Sequence, residues 1–137
     1  MALPYHPKPG TIVICDYQMG GFIPPEMSKR RLAITISPKL KRRNNLVTVV
    51  PLSTTAPDHV EAWHLPINLA IPAPWGDAPR WAKCDMIATV AYSRVNLPHF
   101  RHPVTGSRQH WQYELSTELV DDLRRAVANA LGIVIAD

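Results

Sequence analysis

Where the prolines fall constrains this chain more than any other feature of its sequence. None lies in residues 10–23, 26–37, 39–50 or 80–97, and none follows Pro103. An interior proline removes a backbone donor and clashes with the preceding helical turn. Fourteen prolines in 137 residues, roughly twice the ~5% of ordinary usage, therefore exclude a coiled coil or an all-helical bundle. With 46% hydrophobic residues the chain is not disordered, and it is long enough to bury one core. A single domain over residues 1–137 is expected.

Between the prolines the segments read as strands. Thr11–Tyr17 is β-branched and follows the turn Lys8-Pro9-Gly10. Gln18–Lys29, with Gly20-Gly21 and Pro24-Pro25, is a long loop. Leu32–Ser37 is a second strand stopped by Pro38, and Lys39–Asn45 a connection. Leu46–Leu52 is a third strand, whose Pro51 implies an edge, a bulge or a strand end. His59–Leu65 is a fourth, Asn68–Arg80 an excursion, Lys83–Ala91 a fifth and Tyr92–Leu97 a short sixth. The last quarter turns helical. Ser116 caps a helix running to Leu131, Glu118 lies in its first turn, and Gly132 follows its end. Leu119, Leu123, Val127 and Leu131 recur every four residues, with Val120 and Ala130 widening the stripe. The expected class is mainly β with a C-terminal α-helix: a small curled barrel over about 8–100 and a helix over about 116–131.

The net charge is +4, and its placement says more than its size. Lys29, Arg30, Arg31, Lys39, Lys41, Arg42 and Arg43 fall within fifteen positions, and no acid occurs between Glu26 and Asp58. That field suits a phosphate backbone. Cys15 and Cys84 lie in apolar runs without zinc or redox spacing and read as buried free thiols. Neither His59/His64 nor His99/His102 has a carboxylate or thiol at ligand spacing, so no metal site is expected. No signal peptide, no membrane-spanning run and no nucleotide-binding fingerprint is visible, which points to a soluble, cytoplasmic protein without membrane partners or cofactor.

The residues suited to chemistry lie where strands meet loops. Pro51 should bend the third strand so that Ser53, Thr54 and Thr55 leave the sheet and face a ligand. If strands two and three pair as a hairpin, Arg31 lies near Ser53. A guanidinium beside hydroxyls is a phosphate site, because the guanidinium forks two oxygens while a hydroxyl donates to a third.

Four segments in order make the sequence resemble the MazF/PemK family of toxins. They are Lys8-Pro9-Gly10-Thr11-Ile12-Val13-Ile14-Cys15-Asp16, then Glu26 with Lys29–Pro38, Val50-Pro51-Leu52-Ser53-Thr54-Thr55, and Lys83-Cys84-Asp85-Met86-Ile87. The resemblance covers about residues 8–131 and looks like a divergent PemK-like branch. It implies an SH3-like barrel of the MazF/PemK/CcdB type that dimerises. It also implies a metal-independent endoribonuclease that cleaves single-stranded RNA and is neutralised by a cognate antitoxin. By motif position Arg31 and Ser53 fall on the arginine and hydroxyl that carry cleavage, and Glu26 on an acidic loop position. Lys29, Arg30, Lys39, Lys41, Arg42, Arg43, Thr54 and Thr55 are the expected RNA contacts. Arg30 competes with Arg31 for the active arginine, and Leu32 stands where the family usually has proline. The alternative is a non-catalytic binding module on the same fold, a gyrase-inhibiting toxin like CcdB or a member that binds RNA without cutting it.

Overall fold

The computed structural model describes residues 3–72 and 74–135. Its strands are β1 (Ile12–Asp16), β2 (Arg30–Thr35), β3 (Leu46–Ser53), β4 (His64–Ile67), β5 (Arg80–Lys83), β6 (Ala88–Ala91), β7 (Val95–Asn96), β8 (His99–Arg101) and β9 (Arg108–His110), followed by the helix α1 (Thr117–Ala130). The main sheet runs β4-β5-β3-β2-β1-β7, with β6 also paired to β3, and every pairing is antiparallel. Among the described residues no pairing joins β4 to β7. The strands β8 and β9 form a separate hairpin.

Strand alternation explains both faces of the sheet. Side chains two apart share a face, so Ile12, Ile14, Leu32, Ile34, Val50 and Leu52 enter one core cluster, joined by Leu123 and Val127 of the helix. Val13, Cys15, Ala33, Val47 and Val49 point the other way, into a second cluster with Tyr17 and Val95. A sheet buried on both faces needs continuous apolar runs, and β1 to β3 supply them.

Pro51 does not end its strand or turn the chain away. It lies within β3 opposite Ala33, at the point where one edge of β3 passes from β6 to β5. The pairing to β6 stops at Val49 and that to β5 begins at Leu52. A missing N–H costs least in that gap. The expected single strand over Lys83–Ala91 is correspondingly two strands separated by a 3₁₀ turn at Cys84–Met86. The register against β3 shifts by three residues between them, the length of that turn. The fourth strand also lies further on than expected, at His64–Ile67 rather than His59–Leu65, and as an edge strand it tolerates Pro66.

The helix begins as its cap signal predicts, with Ser116 Oγ accepting the Leu119 N–H at 3.2 Å. It ends in a left-handed Gly132, φ +77, with the Gly132 N–H on the Asn129 carbonyl and the Ile133 N–H on that of Ala128. Its buried stripe is Val120, Leu123, Ala126, Val127 and Ala128. Leu131, expected in that stripe, is 64% exposed, because it already belongs to the cap. Arg124 ties the helix to the sheet, donating to the Ile36 carbonyl from Nε and Nη2. No helix among the described residues is long and apolar enough to cross a membrane.

Candidate functional site

The site starts from the register of β2 on β3. Ala33 faces Pro51 at the end of that ladder; carried on in the same register, two steps bring Arg31 level with Ser53 and three bring Arg30 level with Thr54. The second strand begins at Arg30, two residues earlier than expected, because Arg30 and Arg31 still pair with Asp16 and Cys15 of β1. Alternation sends the two arginines to opposite faces of the sheet end. Arg31 follows Cys15 toward the second cluster, and its Nε is buried without a hydrogen-bond partner, as is the Tyr17 hydroxyl. Arg30 lies on the helix side of the sheet, beyond Leu32.

Thr54, rather than Ser53, faces the cleft. A hollow here is lined by Arg30, Arg31 and Thr54, floored by Leu32 and Leu52, and walled by Trp75 and Arg80. Ser53 does not leave the sheet: it pairs with Trp81 of β5 and is only 6% exposed. Its Oγ accepts the Thr55 N–H at 3.1 Å, an ST turn that fixes where the chain carries Thr54.

Arg80 supports the wall opposite. It is 5% exposed, and its guanidinium donates to the carbonyls of Trp75 (2.7 Å), Gly76 (3.2 Å) and Ala78 (3.2 Å). Burial lowers its pKa, opposed by the charge of Asp77. A buried cation that satisfies three carbonyls of one loop acts as a clamp on that loop. Here the loop carries Trp75.

Arg30, Pro74 and Trp75 are also walls of a larger hollow of about 580 Å³, which continues the first toward the β8–β9 hairpin. His99, Phe100, Arg101 and Arg108 line that part. A third hollow behind it adds Asp16 and Arg94. Guanidinium groups and two aromatic side chains along one cleft are the features that hold a single-stranded nucleic acid, whose phosphates need cations and whose bases need flat partners. His99 titrates below the usual histidine range because burial disfavours its charged form, with Arg108, Arg30 and His110 acting the same way and the Leu97 carbonyl opposing them.

The sequence reading missed Trp75, Arg80, His99, Arg101 and Arg108 as cleft residues. One signal was present: His99-Phe100-Arg101 and Arg108-Gln109-His110 mirror one another around a Gly106 turn. In the hairpin His99 pairs with His110 and Arg101 with Arg108, so the mirrored triplets put all four on one face.

The structure leaves other expected contacts apart from this cleft. Lys39, Lys41, Arg42 and Arg43 lie in the β2–β3 connection, at the other end of the hairpin. The strand steps from Arg31 to Thr35 alone amount to about 13 Å. Glu26 lines a different hollow with Tyr17, Phe22 and Met27, and its Oε1 accepts the Ile23 N–H at 2.8 Å. Lys29 and Thr55 are exposed beside β2 and β3. Cys15 and Cys84 are buried and free, and burial pushes their thiols up to about 11 and about 12. No group of three or more histidine, cysteine or carboxylate side chains among the described residues is placed to hold a metal ion.

Comparison with known proteins places these features in context. The sequence model of the PemK-like, MazF-like toxins of type II toxin–antitoxin systems matches residues 8–131. YifN of Escherichia coli K12 is 31% identical over 156 aligned positions, covering 98% of this chain and 97% of that protein. An uncharacterized protein of Haemophilus influenzae is 31% identical, covering 93% and 92%. Among solved structures, toxin MazF-mt6 of Mycobacterium tuberculosis superposes with a TM-score of 0.56 at 18% identity, covering 93% of this chain and all of that one. A mycobacterial endoribonuclease in complex with its cognate antitoxin gives 0.59 at 17%, covering 96% and 100%. The MazE–MazF structure from Deinococcus radiodurans gives 0.54 at 17%, covering 95% and 99%. At these identities the structural likeness is one of fold.

Proposed function

Because this chain belongs to the PemK-like, MazF-like family of type II toxins, we propose that it is an endoribonuclease that cuts single-stranded RNA in the cleft between β2, β3 and the β8–β9 hairpin. The observation that carries the reading is the meeting of Arg30, Arg31 and Thr54 in one hollow beside Trp75. RNA brings its own nucleophile, the 2′-hydroxyl next to the scissile phosphorus. The protein must then stabilise the charge gathering on the phosphoryl oxygens and exclude unproductive geometries.

Arg30 clamps those oxygens from the face it shares with Thr54, and Arg31, which borders the same hollow from the other face, adds its positive charge. Arginine's pKa above ~12 makes it a fixed cation rather than a base. The Thr54 hydroxyl donates to a non-bridging oxygen, and Ser53 acts through the turn that positions it. Trp75 offers a stacking face for a base. The cognate antitoxin would silence the enzyme by laying an acidic segment along the same arginines, and the active species is a homodimer in this reading. No step requires a divalent ion.

The test is cleavage of a short single-stranded RNA in EDTA by the full chain and its Arg31→Ala, Thr54→Val and Ser53→Ala variants, each checked for folding by circular dichroism. Loss of one preorganised donor costs about 10²–10³ in rate at comparable sites. Arg31→Ala and Thr54→Val should each reach that range, and Ser53→Ala should lose less than Thr54→Val. Full activity in folded Arg31→Ala and Thr54→Val would refute the site.

A further inference from the structure

We propose that His99 takes the 2′-hydroxyl proton during cleavage, because the β8–β9 hairpin sets it into the arginine cleft, where it lines two hollows together with Arg30 and Arg108. The role rests on the ribonuclease reading above. It also fills a gap in it: two arginines and a threonine stabilise charge, but none is a base at neutral pH.

His99 lines two of the three connected hollows and shares both with Arg30, which itself borders Thr54 in the third. The hairpin fixes the ring from below. Its backbone pairs with His110, and the two rings meet edge to face with centroids 6.2 Å apart. The charged and titratable groups around it are Arg30 of β2, Asp16 of β1, Arg94 before β7, and Arg101, Arg108 and His110 of the hairpin. Of these, Arg108, Arg30 and His110 act against an imidazolium. A neutral ring between cations is a poor acid but an available base. It can accept a proton while the guanidiniums hold the adjoining phosphate.

The step balances without any co-reactant beyond water. His99 accepts the 2′-hydroxyl proton as the 2′-oxygen bonds to phosphorus. The bond from phosphorus to the 5′-oxygen breaks, the electron pair leaves on that oxygen, and it is protonated by water. The imidazolium then returns its proton to solvent, leaving a 2′,3′-cyclic phosphate and a 5′-hydroxyl end.

The experiment measures kcat and KM from pH 5 to 8 on an RNA oligonucleotide of defined sequence, for the full chain and for His99→Gln and His99→Ala. General-base contributions of about 10²–10⁴ are usual. His99→Gln should lower kcat at least about 10²-fold with KM within about threefold. The wild-type kcat/KM should climb with unit slope to an inflection below 6.5 and then level, and His99→Gln should lose that limb. Added imidazole should restore part of the activity of His99→Ala, a readout that a merely structural role would not move. Retention of wild-type kcat and the acid limb in His99→Gln, or loss confined to KM, overturns the inference while leaving the nuclease reading intact. Absence of RNA cleavage by the wild-type chain, with or without divalent ions, overturns both.

Discussion

Arg80→Met tests whether the cleft wall is held as the geometry indicates. The side chain is nearly isosteric along its stem, so the change removes the guanidinium and leaves most of the packing. Three carbonyls lose a charged donor, those of Trp75 at 2.7 Å and of Gly76 and Ala78 at 3.2 Å. A hydrogen bond to a charged group contributes about 1.5–3 kcal/mol net. The values do not simply add here, because Nη1 is shared between two acceptors and the freed carbonyls sit on a loop that can turn to water. Relief of the buried cation returns part of the loss. The expected destabilisation is about 2–3 kcal/mol, or a fall in Tm on the order of 10 °C for a chain of this size. The functional consequence is separable. With the loop released, Trp75 no longer presents a fixed face, and stacking of a base on an aromatic side chain contributes about 1–3 kcal/mol. Affinity for a non-cleavable RNA, carrying 2′-deoxyribose throughout the scissile region, should weaken about tenfold at temperatures where the variant is folded. Arg80→Lys keeps the charge but not the fork and should fall between the two. A variant that melts within about 2 °C of the native chain and binds RNA equally well would refute the clamp.

Three further outcomes follow from the same structure. Alanine at all of Lys39, Lys41, Arg42 and Arg43 should leave kcat unchanged, since these residues hang from the far end of the hairpin; rates on saturating RNA check this, and a loss above about tenfold would contradict it. Stability should fall above pH 9. Each buried thiol binds its proton more tightly folded than unfolded, so its contribution is complete below the unfolded value of 9.0 and is lost as pH rises through about 11 for Cys15 and about 12 for Cys84. The slope is about 1.4 kcal/mol per pH unit for each thiol, and denaturant melts of Cys15→Ala/Cys84→Ala should show a shallower alkaline limb. Gly10→Ala should cost about 3 kcal/mol by chemical denaturation. Gly10 has φ +97, and a Cβ there would lie 2.7 Å from Val120 Cγ2 on the helix.

Much of the scaffold was legible because local signals and tertiary demands agree. The apolar runs of β1 and β3 are long enough to be buried on both faces, and the Ser116 cap and Gly132 stop frame the helix with chemistry that works in isolation. What was not legible depended on partners distant in sequence. Whether Pro51 ends a strand or sits in a gap is decided by β5 and β6, which begin 29 and 37 residues later. The split of Lys83–Ala91 has the same origin. At the site, the nearness of Arg31 to the end of β3 was readable from a hairpin argument, but a two-residue alternation decided which hydroxyl reaches the cleft. The Lys39–Arg43 cluster was conspicuous in sequence yet lies away from Arg31. The scattered Arg30, Arg94, Arg101 and Arg108, which no window of sequence groups, line one continuous surface.

The central claim is that the chain cuts RNA through the substrate's own 2′-hydroxyl, and the most direct measurement is product analysis on paired substrates in EDTA. One is an RNA cut by the full chain; the other carries a single 2′-O-methyl at the nucleotide 5′ to the cut. The account predicts a 2′,3′-cyclic phosphate and a 5′-hydroxyl from the first and no cleavage at the blocked position in the second. Cleavage at the methylated position, or products ending in a 3′-hydroxyl and a 5′-phosphate, would contradict it.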